Sequence, residues 1–219
     1  VPTPGLVTPS VLAAGQWHGA NYLVLSPLDT TGDLAEPALR ERASDSLVAA
    51  FSVERMTLAA SPWWQRTWAQ LEACDPREAD VRRLQQAGRS LLERHGARQF
   101  SLGACHGDWS PWNTSARHGA VAAWDWERFE IDLPVGWDSI HFDASADGGA
   151  ARGLRRLHAR IVAAHGRGSK REALLACYLI YRGTNFVVEQ HHRIGSPNGP
   201  LSSWLLPVLE AAVGTADTT

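Results

Sequence analysis

Asp108, Asn113 and Asp125 are the residues whose types and spacing point to chemistry. A carboxylate can orient an attacking hydroxyl and accept its proton. A side-chain carbonyl and a second carboxylate are hard oxygen donors of the kind Mg²⁺ prefers. Metal-assisted phosphoryl transfer asks little more of a protein at its acceptor side. The three residues lie in Cys105-His106-Gly107-Asp108-Trp109-Ser110-Pro111-Trp112-Asn113 and in Trp124-Asp125-Trp126-Glu127.

The local pattern predicts elements able to hold them together. Arg98 to Ala104 reads as a short apolar strand leading into the motif, and Gly107 and Pro111 make a tight loop. Thr114 to Ala116, the turn Arg117-His118-Gly119, and Ala120 to Trp124 read as a β-hairpin. That hairpin would carry Asp125 back alongside Asn113.

This constellation resembles the kinase catalytic loop, where a His and an Asp are followed by Asn five residues after the Asp and by a metal-binding Asp after a hairpin. Gly107 between His and Asp, and Asp125-Trp126-Glu127 in place of Asp-Phe-Gly, make it similar to the aminoglycoside phosphotransferase and choline kinase-like family. Pro134 and Gly136-Trp137-Asp138 fall where that family has a Pro and a buried Asp. The resemblance is specific over 105–140 and compatible elsewhere. It implies that Asp108 is the catalytic base, that Asn113 and Asp125 hold Mg²⁺, that His106 braces the loop, and that Asp138 ties the loop to a helix. Glu127 reads equally as an accessory metal or substrate group and as a solvated carboxylate. Trp109 and Trp112 read equally as acceptor wall and as packing, whereas Trp124, on the strand, reads as packing.

The fold class the resemblance implies is α+β and protein kinase-like. A mostly helical large lobe (29–219), carrying the catalytic-loop hairpin, would follow a remnant of the small lobe (1–28). In that remnant, Ser10–Ala14 and Ala20–Leu25 flank Gly15-Gln16-Trp17-His18-Gly19 as a hairpin, after a Pro-rich extended stretch 1–9. Leu25, Ser26 and Leu28 would form the hinge at the adenine of ATP or GTP. Pro27 lacks an N–H, so its neighbours must supply any backbone contact.

Helices are expected over Leu34 to Ala60, after Ser61-Pro62, and after Asp75-Pro76 to His95, the last on Val81, Leu84, Gly88 and Leu91. A further helical stretch over Leu133–Phe142 would carry Trp137-Asp138, with a small-residue loop at Ala144–Ala150. Leu154, Leu157 and Ile161 mark a helix stopped by Gly166. Ser169 with Glu172 forms a capping box for a buried helix from Lys170. A last helix, from Leu201, would kink at Pro207, and Thr215–Thr219 would fray. The adjacent His191 and His192 point apart on a helix and are poor co-ligands.

Composition narrows the function classes. A net charge of −2 gives no basic surface for nucleic acid. No apolar run approaches the ~18 residues of a membrane span, and the N-terminus shows no secretory pattern. Cys74, Cys105 and Cys177 are an odd number without metal-site spacing, so a reduced, cytoplasmic protein is expected. Cys105 reads as a packed thiol. The acidic residues Glu127, Glu130, Asp132, Asp138 and Asp143 would suit a cationic acceptor such as an aminoglycoside or amino alcohol, or else form a solvated loop.

A complete family member also has a Gly- or Ser-rich loop over the phosphates and a strand Lys paired with a helix Glu. Only nine residues precede the first hairpin, and the sole Lys is Lys170. Three expectations follow. The first is a small-molecule phosphotransferase moving the ATP γ-phosphate to a hydroxyl, with its small lobe truncated here; the Val start favours it. The second is a degenerate, non-catalytic kinase-like binding protein. The third is a metal-dependent hydrolase using His106, Asp108 and Asp125. The chain alone is expected to bind Mg²⁺-nucleotide weakly or not at all.

Overall fold

The computed structural model describes residues 3–146, 150–190 and 201–214. Among them are seven α-helices and eight strands in small sheets, an α+β fold. Gly148-Gly149, His191-His192 and Thr215–Thr219 lie outside the described residues.

The central strand is β5 (Gln99–Cys105), whose last four residues are all buried. It pairs antiparallel with β4 (Glu54–Thr57) on one edge and with β8 (Glu130–Pro134) on the other. Both neighbours correct the helical readings given to these stretches. Arg55 and Met56 face Ser101 and Phe100, and Leu133 faces Gly103. The backbone bonds that make these short segments strands come from β5, far away in sequence.

A second sheet has the order β1-β7-β6. β6 (Thr114–Arg117) and β7 (Ala120–Ala123) form the expected hairpin, in register Thr114↔Ala123. β1 (Leu6–Val7) runs parallel to β7, so the N-terminal stretch joins the body and Leu6 is buried there. α1 (Pro37–Ala49) covers this sheet, and Leu39, Ala43 and Leu47 pack with Leu6, Val121, Ala123, Trp109 and Phe142. The helix predicted to reach Ala60 stops at Ala49, before β4.

The larger core lies on the other side of β5. α2 (Pro62–Ala73) supplies Trp63, Trp64 and Leu71. α3 (Ala79–His95) supplies Val81, Leu84, Ala87 and Leu91 at helical spacing. A side chain at Gly88 would meet the Trp68 ring, so the small residue is what lets α2 and α3 close. Neither predicted helix start behaves as a polar cap. The Ser61 hydroxyl donates back to Leu58 O at 2.7 Å, and the Asp75 carboxylate takes the Arg77 N–H and guanidinium, with α3 starting only at Ala79.

α4 (Trp137–Ser145) begins after Gly136, whose φ of 100° suits only glycine. α5 (Ala150–His165) ends at Gly166 in a left-handed conformation. α6 (Lys170–Gln190) is buried throughout 172–180. Half of its capping box forms: the Glu172 N–H donates to Ser169 Oγ at 3.2 Å. The Glu172 carboxylate instead takes the Gly168 N–H at 2.6 Å and His158 Nε2 at 2.8 Å. α7 (Leu206–Val213) has Pro207 in its first turn, so the proline opens a helix instead of kinking one.

Outside this packing stands the hairpin of β2 (Val11–Trp17) and β3 (Ala20–Leu25). Every residue of both strands is exposed, and β2 runs farther than expected because His18 and Gly19 alone make the turn. Among the described residues no third strand joins it. No described helix is long and apolar enough to cross a membrane.

Candidate phosphoryl-transfer site

β5 delivers Cys105 and His106 to the base of the loop. Gly107 sits at φ 82°, and a Cβ there would collide with the Arg128 carbonyl oxygen, so only glycine fits. Asp138, buried at the start of α4, accepts the His106 N–H at 2.9 Å and the Gly107 N–H at 3.1 Å. Burial raises the Asp138 pKa to about 6, although the two backbone donors act in the opposite direction. The loop is thereby fastened to α4 through a carboxylate.

His106 is fully buried between the indoles of Trp109 and Trp126. Its Nε2–H donates to Trp124 O at 2.9 Å, and its Nδ1 accepts the Asp108 N–H at 3.3 Å. This arrangement requires the neutral ring. Burial lowers its pKa to about 4, although the Trp124 carbonyl and the nearby Asp108 and Asp125 carboxylates oppose the shift. His106 joins the strand end, the loop and the hairpin exit.

Asp108 is the loop's half-buried carboxylate. Asn113 Nδ2 donates to its Oδ2 at 2.8 Å and to its backbone carbonyl at 3.1 Å. His141 Nε2, from α4, lies 2.9 Å from Oδ1. The two groups are in close polar contact. The Tyr178 hydroxyl on α6 lies 2.7 Å from His141 Nδ1, and because the carboxylate at Nε2 can only accept, the tautomer protonated at Nε2, with the tyrosine donating to Nδ1, satisfies both contacts. Burial depresses the His141 pKa, so the ring is neutral. Burial would raise the Asp108 pKa, but His141 and the guanidiniums of Arg182 and Arg128 outweigh it and hold the group below its ordinary value. Asp108 is therefore a carboxylate at neutral pH.

Asn113 is buried, and donating through Nδ2 leaves its Oδ1 as a hard oxygen. Asp125 follows the hairpin in a left-handed conformation, φ 65°, and is exposed. The Trp124 N–H donates to Asn113 O at 3.2 Å, so the two candidate metal ligands leave neighbouring backbone positions. Two oxygen donors suit Mg²⁺, which keeps waters and substrate phosphates for its remaining positions. No group of three or more His, Cys, Asp or Glu able to hold a metal forms among the described residues. Glu127 is solvated, with only a loose 4.0 Å approach to Arg128.

Leu25, Ser26 and Leu28 are not among the described residues that line the cavity at Asp108. The Ser26 N–H donates to Ser10 O at 2.8 Å, closing the base of the exposed hairpin. Leu28 lines a separate hollow with Asp29, Arg117 and His118. The acidic cluster is largely paired. Arg66 bridges Glu130 and Asp132 at 2.7 and 2.6 Å, Glu130 also takes the Tyr181 hydroxyl, and Asp143 faces Arg160. Cys105 is buried and its thiol donates to Pro134 O, with its pKa pushed well up by burial. Trp109 is core, and Trp112 is 60% exposed beside Asp108.

Sequence reasoning passed over His141, Tyr178 and Arg182. His141 stands three residues after Asp138, on the same helical face, which was a usable signal. Its partner Tyr178 lies 37 residues on, and nothing local announces that contact.

No family model matches the sequence, and no curated protein matches it. Among solved structures a glucosamine kinase (crystal form A) aligns at 16% identity over 80% of this chain and 45% of that one, with a TM-score of 0.32. The chain thus spans less than half of that protein's length, and so loose a superposition carries no argument about activity.

Proposed function

We propose that this chain is the acceptor and metal side of a small-molecule phosphotransferase with a kinase-like large lobe, moving the γ-phosphate of ATP or GTP to a substrate hydroxyl. The observation that carries this reading is the Asp108 carboxylate. It is kept ionised and gripped from two sides by Asn113 and His141, beside the paired backbone exits of Asn113 and Asp125. Asp108 orients the acceptor hydroxyl and takes its proton as the oxygen attacks phosphorus. Asn113 Oδ1 and the Asp125 carboxylate would hold Mg²⁺, which would supply positive charge to the transferring phosphates. His106 and Asp138 keep the loop rigid, so Asp108 keeps its aim. Leu25, Ser26 and Leu28 form the hinge side of the nucleotide site, and residues 11–25 belong to a phosphate-holding lobe. The apolar groups exposed on that hairpin, among them Val11, Leu12, Trp17 and Leu23, are what such a lobe would cover.

The second reading is a non-catalytic, kinase-like binding role. Electron paramagnetic resonance of Mn²⁺, substituting for Mg²⁺ in the presence of ATP, separates the readings. In a gene product carrying this chain, the phosphotransferase reading expects a protein-bound Mn²⁺–ATP signal that Asp125→Ala and Asn113→Ala each weaken at least tenfold and that Asp108→Ala leaves in place. A signal indifferent to Asp125 and Asn113 would refute the ligand assignment.

A further inference from the structure

Asp108 opens into a cavity of about 290 Å³ between the catalytic loop, α4, α6 and Trp204. Its walls divide by chemistry. Trp112, Leu154, Leu179 and Leu205 are apolar, His141 and Tyr178 are neutral, and among the described residues Asp108 and Arg182 carry the charges. Among the described residues no carboxylate forms an ion pair with Arg182, although its field reaches Asp108, His141 and Tyr178. Among the described residues, Glu127, Glu130, Asp132, Asp138 and Asp143 do not line this cavity, and Glu130, Asp132 and Asp143 have arginine partners elsewhere.

We propose that the cavity binds a small hydroxy acid with an apolar or aryl body, its hydroxyl on Asp108, its carboxylate on Arg182 and its body against Trp112 and Leu154. This rests on the phosphotransferase reading for the role of the hydroxyl, but the binding claim stands apart from it. Among the described residues a cationic alcohol would find one carboxylate in the cavity, the same Asp108 that must receive the hydroxyl, so its ammonium would compete with its own reacting group. A carboxylate leaves Asp108 free and supplies an ion-pair partner to Arg182, which has none among the described residues. A guanidinium offers a planar, two-pronged match to a carboxylate, and desolvating an anion requires such a partner. The size also selects. A cavity near the lower end of ligand-site volumes, roughly 300 Å³, admits a compact molecule and not several linked rings.

Three ligands with one body and different charge test this: 3-phenyllactate, the neutral 3-phenyl-1,2-propanediol and the cationic phenylalaninol. Each is titrated against the full chain by quenching of tryptophan emission, without nucleotide or metal, so the outcome does not depend on phosphoryl transfer. The expected order places phenyllactate at least tenfold tighter than phenylalaninol. Arg182→Gln should abolish that preference, and Arg182→Lys should keep most of it with an unchanged circular dichroism spectrum. Equal or tighter binding of phenylalaninol, no binding of any of the three, or a preference that survives Arg182→Gln overturns the assignment. A phosphotransferase active on amines, with Asp108 essential, would sink the acceptor class and leave the catalytic reading standing. Selective phenyllactate binding with no transfer would do the reverse.

Discussion

Two hairpins in this protein share one turn and have opposite fates. β2–β3 turns at His18-Gly19 with φ of 47° and 80°, and β6–β7 turns at His118-Gly119 with φ of 51° and 77°. Both are two-residue turns with two left-handed residues, the geometry that matches strand twist. Yet every residue of the first hairpin's strands is exposed, while Val121 and Ala123 of the second are fully buried. The difference lies in the neighbours. β7 reads Ala-Val-Ala-Ala, small enough for β1 and α1 to close on it, and its exit residue Trp124 hydrogen-bonds His106 and Asn113 of the Asp108 loop. The first hairpin has only its own ladder and the Ser10–Ser26 bonds at its base. Local turn chemistry makes a hairpin, and only packing makes it a structural anchor.

Truncating one indole in each region should show the widest gap. Trp109→Ala empties a buried site beside His106 and should cost about 4 kcal/mol in urea unfolding. Trp17, 72% exposed, should change stability by less than about 0.5 kcal/mol on the same substitution. Comparable losses at the two sites would mean that the first hairpin is covered in solution.

The region around the Asp108 loop should also differ from the first hairpin through pH. The unfolded His106 protonates near 6.5, but the folded ring resists until about 4, so its contribution is present above 6.5 and lost as pH falls toward 4. At about 1.4 kcal/mol per unit the loss is at most about 3.5 kcal/mol. Asp138 runs the other way. Its folded pKa of about 6 lies above the ordinary 3.8, so its contribution is present below 3.8 and lost as pH rises through 6. The two nearly cancel in the native protein. His106→Asn removes one side, and the variant should gain up to about 3 kcal/mol relative to wild type between pH 6.5 and 4. Parallel denaturation midpoints over that range would contradict the buried, neutral His106.

A smaller effect compares the turns themselves. Gly19→Ala and Gly119→Ala meet no atoms within 4 Å, so each carries only the left-handed strain of about 1 kcal/mol. Global unfolding should register it at Gly119 alone, because β6–β7 is part of the cooperative core. At Gly19 the cost should appear only as faster amide exchange within β2 and β3.

Much of the site was legible because its signals are local. The 108–113 spacing, Gly107, the His118-Gly119 turn and the apolar run of α6 all act within a few residues of themselves. β4 and β8 were misread because five-residue segments such as Glu130–Pro134 have no period of their own and become strands only against β5. The acidic stretch was read as an open field because nothing near it in sequence announces Arg66, 66 residues from Asp132, as its partner. The Asp108–His141–Tyr178 chain was missed for the same reason, since α4 and α6 meet only in the folded core.

The central claim is that Asp108 serves as the base of a phosphoryl-transfer site. Its most direct test is ADP formation from ATP coupled to phosphorylation of a hydroxyl, followed by ³¹P nuclear magnetic resonance in a gene product carrying this chain. Asp108→Ala should lower the rate at least about a hundredfold while leaving Mn²⁺–ATP binding intact. Full transfer activity in Asp108→Ala would contradict the account.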